Sequence, residues 1–458
     1  MSRLVIFDLE TSERYALGQI LNLAAIAVNE NFEVVDKLAL DVKISRTQLP
    51  SPEALLVNKV NPIEQQSKAK LNERQAITKL FEFVDKQRND NRAGKVIVGG
   101  QNTAKFDLEF LRSNSLRSGI YPYFPKDVVY TDLIFLSKKL VVSDPSVRKI
   151  LTKENGDISV SLEWLTNALG ISKSKQTHDS LGDVLLTLDV FKHYIKEYDL
   201  NVFSYNSYEV DRFKPKYGDV YRVVNLENYK LVERLYALHW HDSKYALWLN
   251  VTDFDPAKGK RNLWWKTKKN SAFFTVEKVT DPNTINLAQD MLDHPDIVNV
   301  DVNSYFDVPD CDAELHVTTV KYDNMQAALD YMNNGSEVLI QHLSNRDTAS
   351  YNNMLEYIKR YTMLYKKGQF PDKLFKKYCL ERYSGKFKTE KNIFGEDPDY
   401  ANRPNKEVYH PSLKQRLQTI EEKLVEKKDP VDQSVLLALK EYILTSEVVK
   451  TCPELLNE

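Results

Sequence analysis

The chain has 458 residues, 42% of them hydrophobic, enough for a large core and for about two to four domains. Its 63 basic and 65 acidic residues leave a net charge of −2, so any surface for a polyanion must be a local patch. Three widely spaced cysteines, Cys311, Cys379 and Cys452, exclude a disulfide framework and a zinc pattern, and no apolar run approaches the roughly 18 residues that would predict a membrane span.

The opening segment "MSRLVIF" leads straight into a strand and lacks the charged, apolar and small-residue regions of a signal peptide, so a cytoplasmic protein is expected. "RLVIFDL", "LNLAAIAVN" and, after a turn at "NENFE", "VVDKLALDVKI" read as strands. "QAITKLFEFVDKQ" has helical spacing, and "KVIVGGQN" is a strand ending in glycines. "VVYTDLIFLSKKL" predicts a strand entering a helix. "SLEWLTNALG" predicts a helix capped by Ser161 and closed by Gly170, and "SLGDVLLTLDVFKHYIKEY" a long amphipathic helix. Strands alternating with helices predict a layered α/β domain over residues 1–200. From 213 to 345 the texture is that of strands and turns, as in "GDVYRVVNLEN", "RLYALHWHD" and "KYALWLNVTDFD", which predicts a small β-rich domain. Residues 346–458 read as a helical domain, from "YNNMLEYIKRYTMLYKK" to "SVLLALKEYILTSEVV".

Asp8 and Glu10 close the first strand. Residues two apart on a strand face the same side, so both carboxylates can converge on one point. Two like charges held together repel unless cations neutralise them, and magnesium or manganese takes oxygen ligands of this kind. Alone, the pair reads better as a strand end running into solvent. Two later segments add to it. "GGQNTAKFDLEFL" puts Asp107 on the first turn of a helix, five residues after Asn102. "THDSLGDVLLTLDVF" puts His178 five residues before Asp183 at the head of the long helix. Asp179 is the better cap of that helix, which leaves Asp183 for chemistry.

This ordered set, D-x-E on the first strand, N-x4-D after a later one and H-x4-D opening a final helix, resembles the DEDD superfamily of 3′–5′ exonucleases, in its histidine subgroup. Asp8, Glu10, Asp107 and Asp183 match the four acids and His178 the histidine. The whole chain is similar to the bacterial exonuclease I family. Stretches such as "LPSPEALLVNKVNPIEQQ", "ALHWHDSKYALWLNV", "DHPDIVNVDVNSYF" and "YTMLYKKGQFPDKL" also fit it, whereas "GGQN" and the charged "VVSDPSVRKILTKENGDIS" depart from it. The resemblance implies an RNase H-like mixed-sheet exonuclease domain, then a small SH3-like β domain and a helical C-terminal domain. It further implies two Mg2+ ions, with Mn2+ able to substitute, and release of mononucleotides from the 3′ end of single-stranded DNA in repair or recombination. Asp8 is then the acid shared by both ions, Glu10 and Asp183 complete one site, Asp107 helps hold the other, and His178 is the general base. Single-stranded DNA and the acidic tail of single-strand-binding protein are the implied partners, with no membrane contact and a monomer expected.

For DNA contact the strongest signal is 359–392, where eleven Lys and Arg, Lys366, Lys367 and Arg382 among them, meet three acids and alternate with aromatics such as Phe375 and Tyr383. The alternative is a solvated helix face whose aromatics are core. "LWWKTKKN" at 263–270 is a second such patch, in which Trp264 and Trp265 point in opposite directions. Asn102 and Thr11 are further candidates for substrate contact, Thr11 as a wall beside the terminal nucleotide. An RNA-directed member of the superfamily is the competing enzyme, though such proteins are commonly about one domain long. A non-catalytic DNA-binding scaffold is the alternative outside enzymes, and the complete acid set argues against it.

Overall fold

A computed structural model of the chain describes residues 2–90, 94–104, 106–118, 120, 123–125, 127–171, 180–200, 208–209, 216–241, 245–267, 269–270, 274–301, 372–386, 388–390 and 407–457. The first domain is built on a five-stranded mixed sheet. Its strands are β1 (Arg3–Thr11), β2 (Ile20–Val28), β3 (Val34–Asp41), β4 (Val96–Gly100) and β5 (Val128–Asp132), in the order β3-β2-β1-β4-β5. β1 runs antiparallel to β2 and parallel to β4, which in turn runs parallel to β5. Three helices, α1 (Pro52–Asn58), α2 (Pro62–Lys68) and α3 (Glu73–Asp90), separate β3 from β4, and α4 (Asp107–Arg117) separates β4 from β5. Then follow α5 (Leu133–Ser143), α6 (Pro145–Leu151), α7 (Leu162–Ala168) and α8 (Ser180–Tyr198).

The two-residue period of β1 sorts the core into two layers. Leu4 and Ile6 face one way and pack with Leu133, Leu162, Val184, Leu188 and Phe191 of α5, α7 and α8. Val5, Phe7 and Leu9 face the other way and pack with Ile77, Leu80 and Val84 of α3 and Leu108 and Leu111 of α4. Asp8 and Glu10 continue the even-numbered face and so lie on the side that α8 covers. β1 is the central strand and both its faces are buried, which is why it reads as an almost continuous apolar run.

The departure "GGQN" has a steric cause. A Cβ on Gly99 would stand 2.2 Å from the Thr131 carbonyl oxygen, and one on Gly100 would stand 2.5 Å from the Phe7 carbonyl oxygen. The two glycines thus let β4 sit between β1 and β5 where the loop to α4 begins. Gly99→Ala is expected to cost at least about 1–3 kcal/mol, because the clash is with backbone and cannot be relieved by a rotamer change. Urea unfolding of the two proteins checks it, and equal midpoints would remove this explanation.

The second domain holds a five-stranded antiparallel sheet. After the two-residue strand β6 (Tyr208–Glu209) come β7 (Val220–Glu227), β8 (Lys230–His241), β9 (Tyr245–Asn250), β10 (Leu263–Thr267), β11 (Lys269–Asn270) and β12 (Phe274–Lys278). The sheet order is β10-β9-β8-β7-β12, while β6 pairs with β11. Two helices that the β-rich reading did not anticipate follow, α9 (Pro282–Leu292) and α10 (Pro295–Val298). Their Ala288, Leu292 and Ile297 cover one face of the sheet, against Val220, Ala237, Leu247 and Leu249. The signal was present: Asp281 caps α9 by accepting the Thr284 N–H, and Pro282 occupies its first turn.

The C-terminal region is helical, as expected, with α11 (Asp372–Arg382), α12 (Leu413–Glu426), α13 (Pro430–Thr445) and α14 (Glu447–Thr451). A short strand pair, β13 (Lys388–Glu390) with β14 (Glu407–Tyr409), interrupts it and was not expected. Ser412 and Gln415 form a reciprocal capping box at the start of α12, and Asp429 with Pro430 starts α13. These helices share one core with the first domain. Phe375, Tyr383, Leu413, Val435, Leu436 and Leu439 pack with Leu17, Leu21, Leu49, Leu55 and Leu56. Among the described residues, no helix is long and apolar enough to cross a membrane.

Candidate active site

Asp8, Glu10 and Asp183 each offer a carboxylate oxygen, and these oxygens lie within 4.8 Å of one another. β1 brings the first two through its alternation, opposite Ala24 and Asn22 of β2. α8 brings the third. Ser180, in the first turn of α8, donates its hydroxyl to Asn22 Oδ1 at 3.2 Å, and Asn22 donates to Asp41 Oδ1 at 2.6 Å. This chain of side chains pins the head of α8 to β2, and Asp183, one turn later, points down at β1. Glu10 and Asp183 are 9% and 4% exposed. Converging carboxylates so far removed from water fit a hard divalent cation with oxygen ligands, because a cation relieves both the mutual repulsion and the burial.

Asp107 joins from the opposite layer. β1 outruns β4, whose pairing with it ends at Ile6 and Gly99. Beyond that point the Asp107 carboxylate takes over the exposed edge of β1, with Oδ1 accepting the Leu9 N–H at 3.0 Å. Burial pushes its carboxyl well above the usual range, and the charges of Asp8 and Asp132 push it in the same direction. Its oxygens are not in the three-residue cluster, so the structure gathers three of the four acids at one point and sets the fourth beside Asp8.

Asp132 is a buried acid in this region that sequence reasoning passed over. It accepts the N–H groups of Asn102 at 3.1 Å, Ala104 at 2.8 Å and Ile134 at 2.9 Å. It therefore caps α5 and at the same time fixes the loop that carries the chain from β4 to Asp107. An acid directly before the apolar run "LIFLSKKL" is the N-cap signature that could have found it. Asn102 adopts a left-handed φ of 62° in that loop. It opens onto a cleft of about 620 Å³ that also has Lys138, Lys153 and Tyr229 in its walls.

The other predicted residues divide. Thr11 is buried, but its hydroxyl donates to the Glu13 carbonyl at 2.8 Å and its carbonyl accepts from Asn58 Nδ2 at 2.9 Å, so it is a structural joint as well as a neighbour of Glu10. His178, Asp179, Lys366 and Lys367 lie outside the described residues. In the basic stretch, Phe375 and Tyr383 are fully buried, in keeping with the reading of these rings as core, and Arg382 is buried with them, which corrects its reading as part of a surface for nucleic acid. Ser161 stands at the N-cap position of α7 without capping it through its side chain, and Gly170 does follow the helix at φ 67°.

The comparisons with known proteins agree with this geometry. The RNase T-type family model, described as an exonuclease, matches residues 5–191. No curated protein matches the chain. Exonuclease I from Methylocaldum szegediense superposes with a TM-score of 0.64 at 16% identity, covering 100% of both chains. E. coli exonuclease I in complex with a dT13 oligonucleotide superposes with a TM-score of 0.63 at 17% identity, covering 98% of this chain and 100% of that one. An ExoI/SSB-Ct complex does so with 0.63 at 17%, covering 98% and 99%. Mixed sheet, acid cluster and family match together define the first domain as an exonuclease, a phosphodiester hydrolase. Over its whole length, β domain and C-terminal helices included, the chain has the exonuclease I fold.

Proposed function

We propose that the protein is a metal-dependent 3′–5′ exonuclease that degrades single-stranded DNA to mononucleotides in the cytoplasm, in repair or recombination. The observation that carries this reading is the convergence of Asp8, Glu10 and Asp183 beneath α8 in a chain with the exonuclease I fold from end to end. Asp8, Glu10 and Asp183 would hold one ion, and Asp8 with Asp107 would help to hold a second. When bound, magnesium, or manganese in its place, lowers the pKa of water and neutralises charge building on the phosphate. His178, placed five residues before Asp183 by the sequence, takes the proton of the attacking water, since an imidazole titrates near neutral pH. Asp107 and Asp132 hold the carboxyl end of the sheet rigid, so the acids are in place before substrate arrives.

The fold also supports single-stranded DNA and the tail of single-strand-binding protein as partners, because solved exonuclease I structures contain dT13 and SSB-Ct. A working monomer and the three domains 1–200, 213–345 and 346–458 complete the reading. Labelled single-stranded DNA, duplex DNA and RNA, each incubated with magnesium or with EDTA, test it. Nucleotide release from single-stranded DNA alone, abolished by EDTA, is expected. A strong preference for RNA would overturn the substrate assignment, and activity that survives chelation would overturn the metal assignment.

A further inference from the structure

Three residues beyond Glu10, the chain buries another acid that no part of the chemistry above uses. Glu13 is 4% exposed, and its carboxylate is gripped from two C-terminal helices. Arg382, the last residue of α11, donates Nη2 to both Glu13 oxygens, at 3.0 and 2.8 Å. Arg416, in α12, donates Nη2 to Glu13 Oε1 and Nη1 to the Leu49 carbonyl at 2.8 Å. Both arginines are essentially inaccessible to water. Tyr383 adds a second grip on the same neighbourhood. Its hydroxyl donates to the Thr47 carbonyl at 2.7 Å and accepts the Leu49 N–H at 3.0 Å.

The segment held in this way is the continuation of the acid-bearing strand. β1 has an irregular register between Glu10 and Thr11. Thr11 is tied to the Glu13 carbonyl and to Asn58, and Ser12 is tied to Gln19 at 2.8 Å and to Ser51 at 2.8 Å. Apart from the pairing with Gln19 and Ile20 of the neighbouring strand, the restraints on Thr11 and Ser12 run to Glu13 and to Ser51 and Asn58, in the 47–58 region that Arg416 and Tyr383 also grip. Apolar packing alone would dock the helices, as the shared core already does. A buried ion cluster adds little net stability over apolar residues of similar volume, but it fixes one geometry. Arg382 spans both carboxylate oxygens from one guanidinium nitrogen, and Arg416 links the carboxylate to the Leu49 carbonyl, so the two planar groups together hold the carboxylate in one orientation.

The geometry points to Glu13 as a positioning residue of the carboxylate site, held by Arg382 and Arg416 so that the C-terminal helices set where Glu10 stands. This assignment rests on the metal-dependent reading of that site. Its consequence is that the helical region, far away in sequence, helps determine metal affinity and turnover while making no contact with the reacting atoms.

The test is Mn2+ binding to the full chain, read from the EPR signal of free Mn2+, together with kcat and KM on single-stranded DNA. Glu13→Gln keeps the shape and removes the charge. It is expected to weaken Mn2+ binding and lower kcat by about tenfold, the lower end of what outer-shell changes cost, with KM within about twofold of wild type. Arg382→Lys keeps the charge and loses the planar guanidinium that spans both oxygens, so an intermediate effect is expected, and it decides the matter should Glu13→Gln fail to fold. Lys423→Met loosens a docking contact to Glu53 that does not touch residues 11–13, and should leave Mn2+ binding unchanged. Wild-type Mn2+ affinity in folded Glu13→Gln or Arg382→Lys overturns the assignment, as does an equal loss in Lys423→Met. Wild type that binds Mn2+ but releases no nucleotide refutes the proposed reaction instead, while the affinity of the variants still reports on Glu13.

Discussion

Asp8→Ala is expected to lower nucleotide release from single-stranded DNA by at least about 10²–10³-fold, the range set by removing one preorganised charge-stabilising group from an active site. Asp8 carries the larger share because it faces both neighbours. It lies in the cluster with Glu10 and Asp183, and its charge is among those that push the Asp107 carboxyl upward. Removing it therefore affects the oxygen donors on both sides, whereas loss of Glu10 affects one. The fold should tolerate the change. Asp8 is the less buried of the two β1 acids, and the strand ladder on either side is made by backbone groups. Circular dichroism should superpose on wild type while the rate collapses in rapid-quench assays with magnesium. Undiminished degradation by the variant would sink the metal mechanism. A loss of activity with a matching loss of fold would make Asp8 structural.

The second large effect falls on stability. Arg416→Met is expected to cost about 3–5 kcal/mol, because it leaves the buried Glu13 carboxylate with one guanidinium where it had two. The same cluster makes the protein acid-sensitive. Burial alone would raise the Glu13 carboxyl, but the charges of Arg382 and Arg416 outweigh it and hold the group at about 2, against 4.5 when unfolded. His410 lies 3.9 Å from Glu13. Burial, with Arg382 next, pushes its imidazole down to about 3 from 6.5. For both groups the unfolded chain binds a proton at a pH where the folded protein does not, so stability rises with pH across each window. His410 contributes stability that is complete above about 6.5 and is lost as the pH falls towards 3. Glu13 adds stability that is complete above about 4.5 and is lost as the pH falls towards 2. Each contribution is on the order of a few kcal/mol. Urea midpoints between pH 7 and pH 4 should fall steadily in wild type and much less in His410→Phe. A flat wild-type profile would contradict the His410 shift, and the absence of any further fall between about pH 4 and pH 2.5 would contradict the Glu13 shift.

How far the sequence carried depends on whether a contact is local. The pairing of Asp8 with Glu10 followed from the period of a strand, and the helix carrying Asp183 from its amphipathic pattern. Both are consequences of backbone geometry, which short stretches of sequence encode directly. Strand, turn and helix order in the first domain was legible for the same reason. The capping role of Asp132 was legible too, though its second role, holding the loop to Asp107, depends on β4 and β5 lying side by side. In the β domain, α9 and α10 were overlooked because strand signals dominated the surrounding stretch, although Asp281 and Pro282 mark the start.

The basic, aromatic stretch is the clearest case of what only tertiary structure could decide. Arg382 in a run of lysines has the sequence signature of a phosphate contact, and Phe375 and Tyr383 that of stacking platforms. The fold turns α11 inward, so both rings enter the core and the guanidinium meets a carboxylate 369 positions earlier in the chain. A side chain's charge is written in the sequence, but its solvation is not, because burial depends on which distant surface packs against it. The sequence by itself determined the acids, their spacing and the strand and helix that present them. Only the packing of the C-terminal helices against the first domain decided that Glu13, three residues after the converging pair, would be locked in place by two buried cations.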